Sequence, residues 1–192
     1  MPRRNGGQVR WESLFADLDA QLEAAEAAEL AAEVADRSRR EVGRLRLADR
    51  LRSAIGHPLV VATAGGTALA GRLAAVGPDW LLLTEIPGRE ALVAAAGILS
   101  VTGLGGRSDE PGSEGEVAMR LDLRFALRGL TRGRVGVTIT LVDATSVTGT
   151  LDRVGADYVE LAEHPAGEPR RARDVRMVRT IPLTALAVVR ST

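Results

Sequence analysis

At 192 residues, 45% hydrophobic and 26% charged with zero formal net charge, the chain has a globular composition and lacks the bulk positive charge of a protein that coats nucleic acid. It has no cysteine and only two histidines, His57 and His164, which excludes disulfides and thiolate metal sites and leaves no histidine-rich metal set. No window approaches the roughly 18 consecutive apolar residues of a membrane span, and the basic start MPRRNGGQVRWESLF has no apolar run behind it, so a cytoplasmic protein with no signal peptide, metal or cofactor is expected.

Residues 1–10, with Asn5-Gly6-Gly7, read as a disordered tail. Residues 11–44 read as a long helix, and the helical character runs on to about Leu51, with Ser38 and Gly43 as places where it breaks. Trp11, Leu14, Leu18, Leu22 and Ala25 recur at spacings of three and four, and Ala28, Ala32 and Ala35 continue a narrow seam that suits close packing against another helix. Two readings stand: self-association through this seam or with a protein partner, and an exposed, charge-laced helix partly docked on its own chain. The stretch from Glu12 to Asp36 is acidic, and that from Arg37 to Arg52 is rich in Arg. Every basic residue is Arg and none is Lys, which a bias toward GC-rich codons accounts for.

The segment Leu59 to Glu85, LVVATAGGTALAGRLAAVGPDWLLLTE, recurs without a gap from Val137 to Glu163, VTITLVDATSVTGTLDRVGADYVELAE. The copies share Thr67/Thr145, Gly71/Gly149, Leu73/Leu151, Val76/Val154, Gly77/Gly155, Asp79/Asp157, Leu83/Leu161 and Glu85/Glu163, and Trp80 meets Tyr158. In the first copy, residues 59–63, 67–76 and 80–85 read as strands, followed by strand-like residues from Ala91 to Val101. The mid-strand Gly71 marks a bend or a close backbone approach. Residues 175–189 supply the later strands of the second copy. Short helices precede both copies, around Leu45–Ile55 and Leu123–Gly133. The alternation of Val117, Met119, Leu121, Leu123, Phe125 and Leu127 offers a rival strand reading for the second of these. The chain thus divides into a tail (1–10), a helix (11–44), a first small barrel with its leading helix (45–102), a Gly/Ser/acid linker (103–116) and a second small barrel with its leading helix (117–192).

The pattern V-x-V, glycine turn, G-x-L-x-x-V, Asp, apolar run resembles the Sm-like small barrels. It is carried by Val61, Gly66, Gly71, Leu73, Val76 and Asp79, and again by Ile139, Gly149, Leu151, Val154 and Asp157. The resemblance implies a mainly β protein with α: a long N-terminal helix and two tandem five-stranded Sm-like or SH3-like barrels, each preceded by a short helix. That family is often assembled into rings and often binds single-stranded RNA. Two departures matter. No Asn follows Asp79 or Asp157, and the family's Arg-Gly or Lys-Gly pair near the last strand is absent, with Ser100-Val101 and Arg190-Ser191 in its place. The layout also looks like uncharacterised proteins of GC-rich bacteria that are sometimes labelled Fis-family transcriptional regulators, although the sequence has no helix-turn-helix.

Catalysis is not expected. With no Cys and two isolated His, only Asp79/Asp157 and Glu85/Glu163 remain, and their equivalence between copies suits a structural role such as a turn cap. Nucleic-acid-linked regulation is the first expectation and a protein-interaction scaffold the alternative: for RNA or DNA binding the candidates are Arg170, Arg171, Arg173, Arg176 and Arg179 in one loop, with Trp80 and Tyr158 as base-stacking rings; barrel core is the rival reading of the two rings. For a scaffold that self-associates through its helix the candidates are Trp11, Leu14, Leu18, Leu22, Ala25, Ala28 and Ala32.

Overall fold

The structure is a computed structural model that describes residues 8–86, 88–106, 108–109, 120–166, 171 and 174–191. The chain forms two compact units, Met1–Leu45 and Arg46–Thr192.

The first unit is dominated by α1 (Gln8–Val42), which begins three residues ahead of Trp11. It continues through Ser38 and stops at Gly43, where the N–H of glycine closes on Arg39 O at 3.0 Å. Strong helix formers run throughout, and Arg39 and Arg40 in the last turn suit the negative end of the helix dipole. Asp36 holds both of them, at 2.5 Å and 3.4 Å.

The second unit is mainly β. Its elements are α2 (Leu47–Arg52), β1 (Pro58–Thr63), β2 (Ala68–Val76), β3 (Trp80–Glu85), β4 (Arg89–Ala94), β5 (Ile98–Thr102), α3 (Leu123–Gly133), β6 (Gly136–Leu141), β7 (Ser146–Val154), β8 (Tyr158–Glu163), β9 (Met177–Pro182) and β10 (Leu186–Ser191). The apolar run expected over 91–101 is two strands, β4 and β5, separated by a 3₁₀ turn at Ala95–Gly97, and the later run is split in the same way at Leu183–Ala185. Leu123–Gly133 is helix, so the strand reading fails from Leu123 onward; Val117 and Met119 lie outside the described residues. Asp122 caps α3, its carboxylate accepting from the Phe125 N–H at 2.8 Å. In α2, Asp49 is buried; it accepts from the Arg46 N–H at 2.7 Å and pairs with Arg52.

The expected pair of separate five-stranded barrels is replaced by one open, antiparallel, ten-stranded sheet in the order β5-β1-β2-β3-β4-β10-β6-β7-β8-β9. The reason is a junction between the halves: β4 pairs with β10, setting Val93 opposite Val188, Leu92 opposite Val189 and Ala91 opposite Arg190. Within each half the pairings match. Gly71 faces Glu85 as Gly149 faces Glu163, and the irregularity at Leu73/Ala75 recurs at Leu151/Arg153. At both glycines the backbones come too close for a side chain. A Cβ on Gly71 would stand 2.8 Å from the Thr84 carbonyl oxygen, and one on Gly149 would collide with the Ala162 carbonyl.

Two hydrophobic cores fill the unit, and they interleave. One gathers Leu51, Leu59, Val61, Leu69, Leu73, Leu81 and Leu83 from the first half, together with Ala187 and Val188 from β10. The other gathers Leu123, Leu127, Val137, Ile139, Leu151, Val159 and Leu161 from the second half, together with Leu92 and Ala94 from β4. Each half therefore contributes a strand to the core of the other.

Candidate functional site

The junction is also the place where polar side chains cross between the halves. Asp79 follows the Gly77-Pro78 turn, and its Oδ1 accepts from the Leu123 N–H at 2.7 Å, so it caps the start of α3 and not its own turn. Trp80 lays its ring against Gly77, where any Cβ would strike the indole, and its Nε1–H donates to Leu121 O at 2.7 Å. Its partly buried ring packs on the core of the second half, together with Leu82, Ala126 and Leu130. That indole is engaged in packing, which leaves only part of its surface in solvent. Tyr158 lies against Gly155 in the same way and is half-buried, while Asp157 beside it is exposed. Arg190 on β10 reaches Glu85 at the end of β3 with two contacts, 2.9 Å and 3.2 Å.

The Arg cluster is only partly visible: Arg170 and Arg173 lie outside the described residues. Arg171 and Arg176 are exposed. Arg179 is tied to Glu163, and that hydrogen bond raises its pKa above the ordinary guanidinium value. It neutralises a neighbouring carboxylate and offers less to a phosphate than its exposed companions do. A basic face that sequence reading passed over is the outer side of α3, where Arg128, Arg132 and Arg134 are exposed beside an exposed Phe125. The signal was present, since Phe125, Arg128 and Arg132 stand at helical spacing.

On α1 the predicted seam is solvent-exposed along its length: Trp11, Leu14, Leu18 and Leu22, then Ala25, Ala28 and Ala32. Phe15, Leu30, Val34 and Val42 were missed and are equally bare, the large apolar residues of α1 being 45–65% exposed. Phe15 stacks obliquely on Trp11 with ring centroids 6.5 Å apart. Its position four residues after Trp11 was the available clue.

The halves differ at one further place. In the first half an apolar depression of about 750 Å³ is lined by Val60, Ala70, Arg72, Thr84 and Ile86 among others, and Ile86 is 95% exposed. In the second half the residue matching Ile86 is His164, which is 4% exposed. It bonds the Thr150 hydroxyl at 2.8 Å through Nε2 and the Pro165 carbonyl at 2.9 Å through Nδ1. His164 is thus a satisfied core residue.

No family model and no curated protein matches this chain.

Among the described residues, no group of three or more His, Cys, Asp or Glu is placed to hold a metal ion, and no helix is long and apolar enough to cross a membrane. What the surface offers is docking chemistry: an apolar helical seam, two sheet edges and scattered guanidinium groups.

Proposed function

We propose that this is a non-catalytic, cytoplasmic scaffold that self-associates through α1 and displays two Sm-like units joined side by side. The matched strand pairings and glycine contacts of the two halves support the Sm-like reading. The observation that carries self-association is the bare seam of α1. A helix of 35 residues is about 50 Å long, and Trp11, Leu14, Phe15, Leu18 and Leu22 lie along its first half in open solvent. Full burial of such a side chain is worth about 1.5–3 kcal/mol, enough over two helices to offset the cost of association. The alanine positions let two backbones come close.

The test is sedimentation equilibrium of the full chain beside a Leu18→Glu, Leu22→Glu variant. The variant is expected to lose the association step that the parent shows. Equal masses for the two proteins at every concentration would refute the role of α1.

A second reading, nucleic-acid-linked regulation through RNA or DNA binding, rests on the exposed Arg171 and Arg176 and on the arginine face of α3. Its mark is binding that weakens steeply with salt and falls when Arg171 and Arg176 become Ala. Retention on both single-stranded RNA and duplex DNA without salt dependence would argue against it.

A further inference from the structure

Both halves carry the same stretch of exposed sheet face, and only the second half covers it. There Thr138 lies opposite Thr148, and Thr150 opposite Ala162. The hydroxyls of Thr138 and Thr148 bond each other at 3.0 Å, and the Thr150 hydroxyl bonds His164 Nε2 at 2.8 Å. The imidazole is buried and its two nitrogens are satisfied. At the matching positions the first half sets Val60 opposite Ala70 and Arg72 opposite Thr84, with Ile86 in the place of His164. The backbone explains why one residue turns in and the other does not. His164 stays on the ladder, its N–H donating to Thr148 O at 3.3 Å. After Glu85 the chain leaves the ladder: the Gly88 N–H closes a turn on Glu85 O at 2.6 Å, and Ile86 is left bare.

We infer that the open depression of the first half binds one small amphipathic carboxylate, such as a short fatty acid. Its hydrocarbon lies over Val60, Ala70 and Ile86, and its carboxylate meets Arg72. The depression of about 750 Å³ falls among small-molecule sites of about 300–1,000 Å³, which are mostly apolar with a few polar groups that fix orientation.

The polar groups on its walls select the charge of the ligand. Glu85 is neutralised by Arg190, which reaches it at 2.9 Å and 3.2 Å. Arg72 meets no carboxylate among the described residues; its guanidinium donates to the Gly56 carbonyl, a neutral acceptor, so its charge stays uncompensated. A guanidinium carries five N–H donors and takes a carboxylate through two parallel hydrogen bonds. The Thr84 hydroxyl, directly across the ladder from Arg72 and half-buried, has no partner among the described residues and supplies a further donor. A single guanidinium matches a single negative charge, which suits a carboxylate better than a phosphate dianion. A bare inorganic ion would leave the apolar wall in water, and a neutral hydrocarbon would leave Arg72 unmatched. The second half has no room for a like ligand because His164 lies over its face, so each chain takes one. The site uses no residue of α1 and stands apart from the seam.

The test is equilibrium dialysis of labelled octanoate and labelled octanol against the full-length protein. The protein carries Leu18→Glu and Leu22→Glu, so that the bare seam of α1 does not take up the probe. One octanoate per chain is expected, with octanol bound about tenfold more weakly. Arg72→Gln should lower octanoate to the level of octanol and leave octanol unchanged. Ala70→Glu places a carboxylate two residues from Arg72 on the same face of β2 and should abolish octanoate binding. Both residues are exposed, and circular dichroism checks that each variant keeps the parent fold. Failure of the parent to bind octanoate would overturn the inference. Equal affinities for octanoate and octanol would do the same, as would octanoate binding untouched by both substitutions.

Discussion

Replacing Leu92 by Ala tests whether the two halves fold as one body. Leu92 sits on β4, in the first half, yet it is 6% exposed within the core that Leu123, Leu127 and Leu161 build in the second. The change removes three carbons at about 0.8 kcal/mol each and leaves a cavity, so the expected loss is about 2–4 kcal/mol. For a unit of this size that is a fall in melting temperature of about 5–15 °C. The assay is urea unfolding followed by Trp80 fluorescence in a Trp11→Phe background, with hydrogen exchange on the same protein. One shifted transition is expected, with protection reduced in β6, β7 and β8 as well as in β3 and β4. Two resolved transitions, with only the first-half strands affected, would refute the interleaving of the cores. So would a cost well below 1 kcal/mol.

The close backbone approaches predict an order of severity. Gly71→Ala, whose Cβ would stand 2.8 Å from Thr84 O, should cost about 1–3 kcal/mol, and Gly149→Ala, which drives its Cβ into the Ala162 carbonyl, should cost more, as thermal melts of the two variants will read. Burial pushes the Asp122 carboxyl up, but the Phe125 N–H and the Arg124 guanidinium outweigh it and hold its pKa below the ordinary aspartate value. A carboxylate depressed by folding stabilises above its unfolded pKa, about 3.9, and that contribution fades as pH falls from there through the lower folded value. Asp122→Ala should therefore cost about 1 kcal/mol at neutral pH and show a shallower loss of stability in acid, checked by urea melts across a pH series.

Much of the local structure was legible because its cues are local. The Gly77-Pro78 turn and the run from Trp80 to Glu85 placed β3 to the residue, and Gly43 ended α1 where a helix breaker should. The fusion of the halves is carried by the differences between the copies and not by the identities that define the repeat. Ala91-Leu92-Val93-Ala94 is a continuous apolar run, the mark of a strand covered on both faces, where the counterpart Arg179-Thr180-Ile181-Pro182 has two polar residues in the places of Ala91 and Leu92. Leu186 to Val189 differs from Ile98 to Val101 in the same sense at one position, where Ser100 stands in the place of Val188. Trp80 was weighed as a stacking ring because nothing in its own strand shows that Leu121 lies within reach of its indole. For the Arg cluster, Arg179 lies opposite Leu161 in the β8–β9 ladder, beside Glu163, a pairing fixed by register and invisible in a string of five arginines.

The exchange of strands between the cores has a consequence for how such a chain can change. The two copies occupy unequal stations: Leu82 and Leu92 face a neighbour within the chain, Glu160 and Thr180 face outward. Placing the second half in the position of the first would set the Glu160 carboxylate, paired with Arg153 at 3.6 Å, and the Thr180 hydroxyl against the apolar Ala126 and Leu130 of α3, at a cost in desolvation. The order of the halves is therefore written into their side chains, and each substitution that suits one station makes its residue less fit for the other. The molecule behaves less as a repeated unit than as a pair with a fixed left and right.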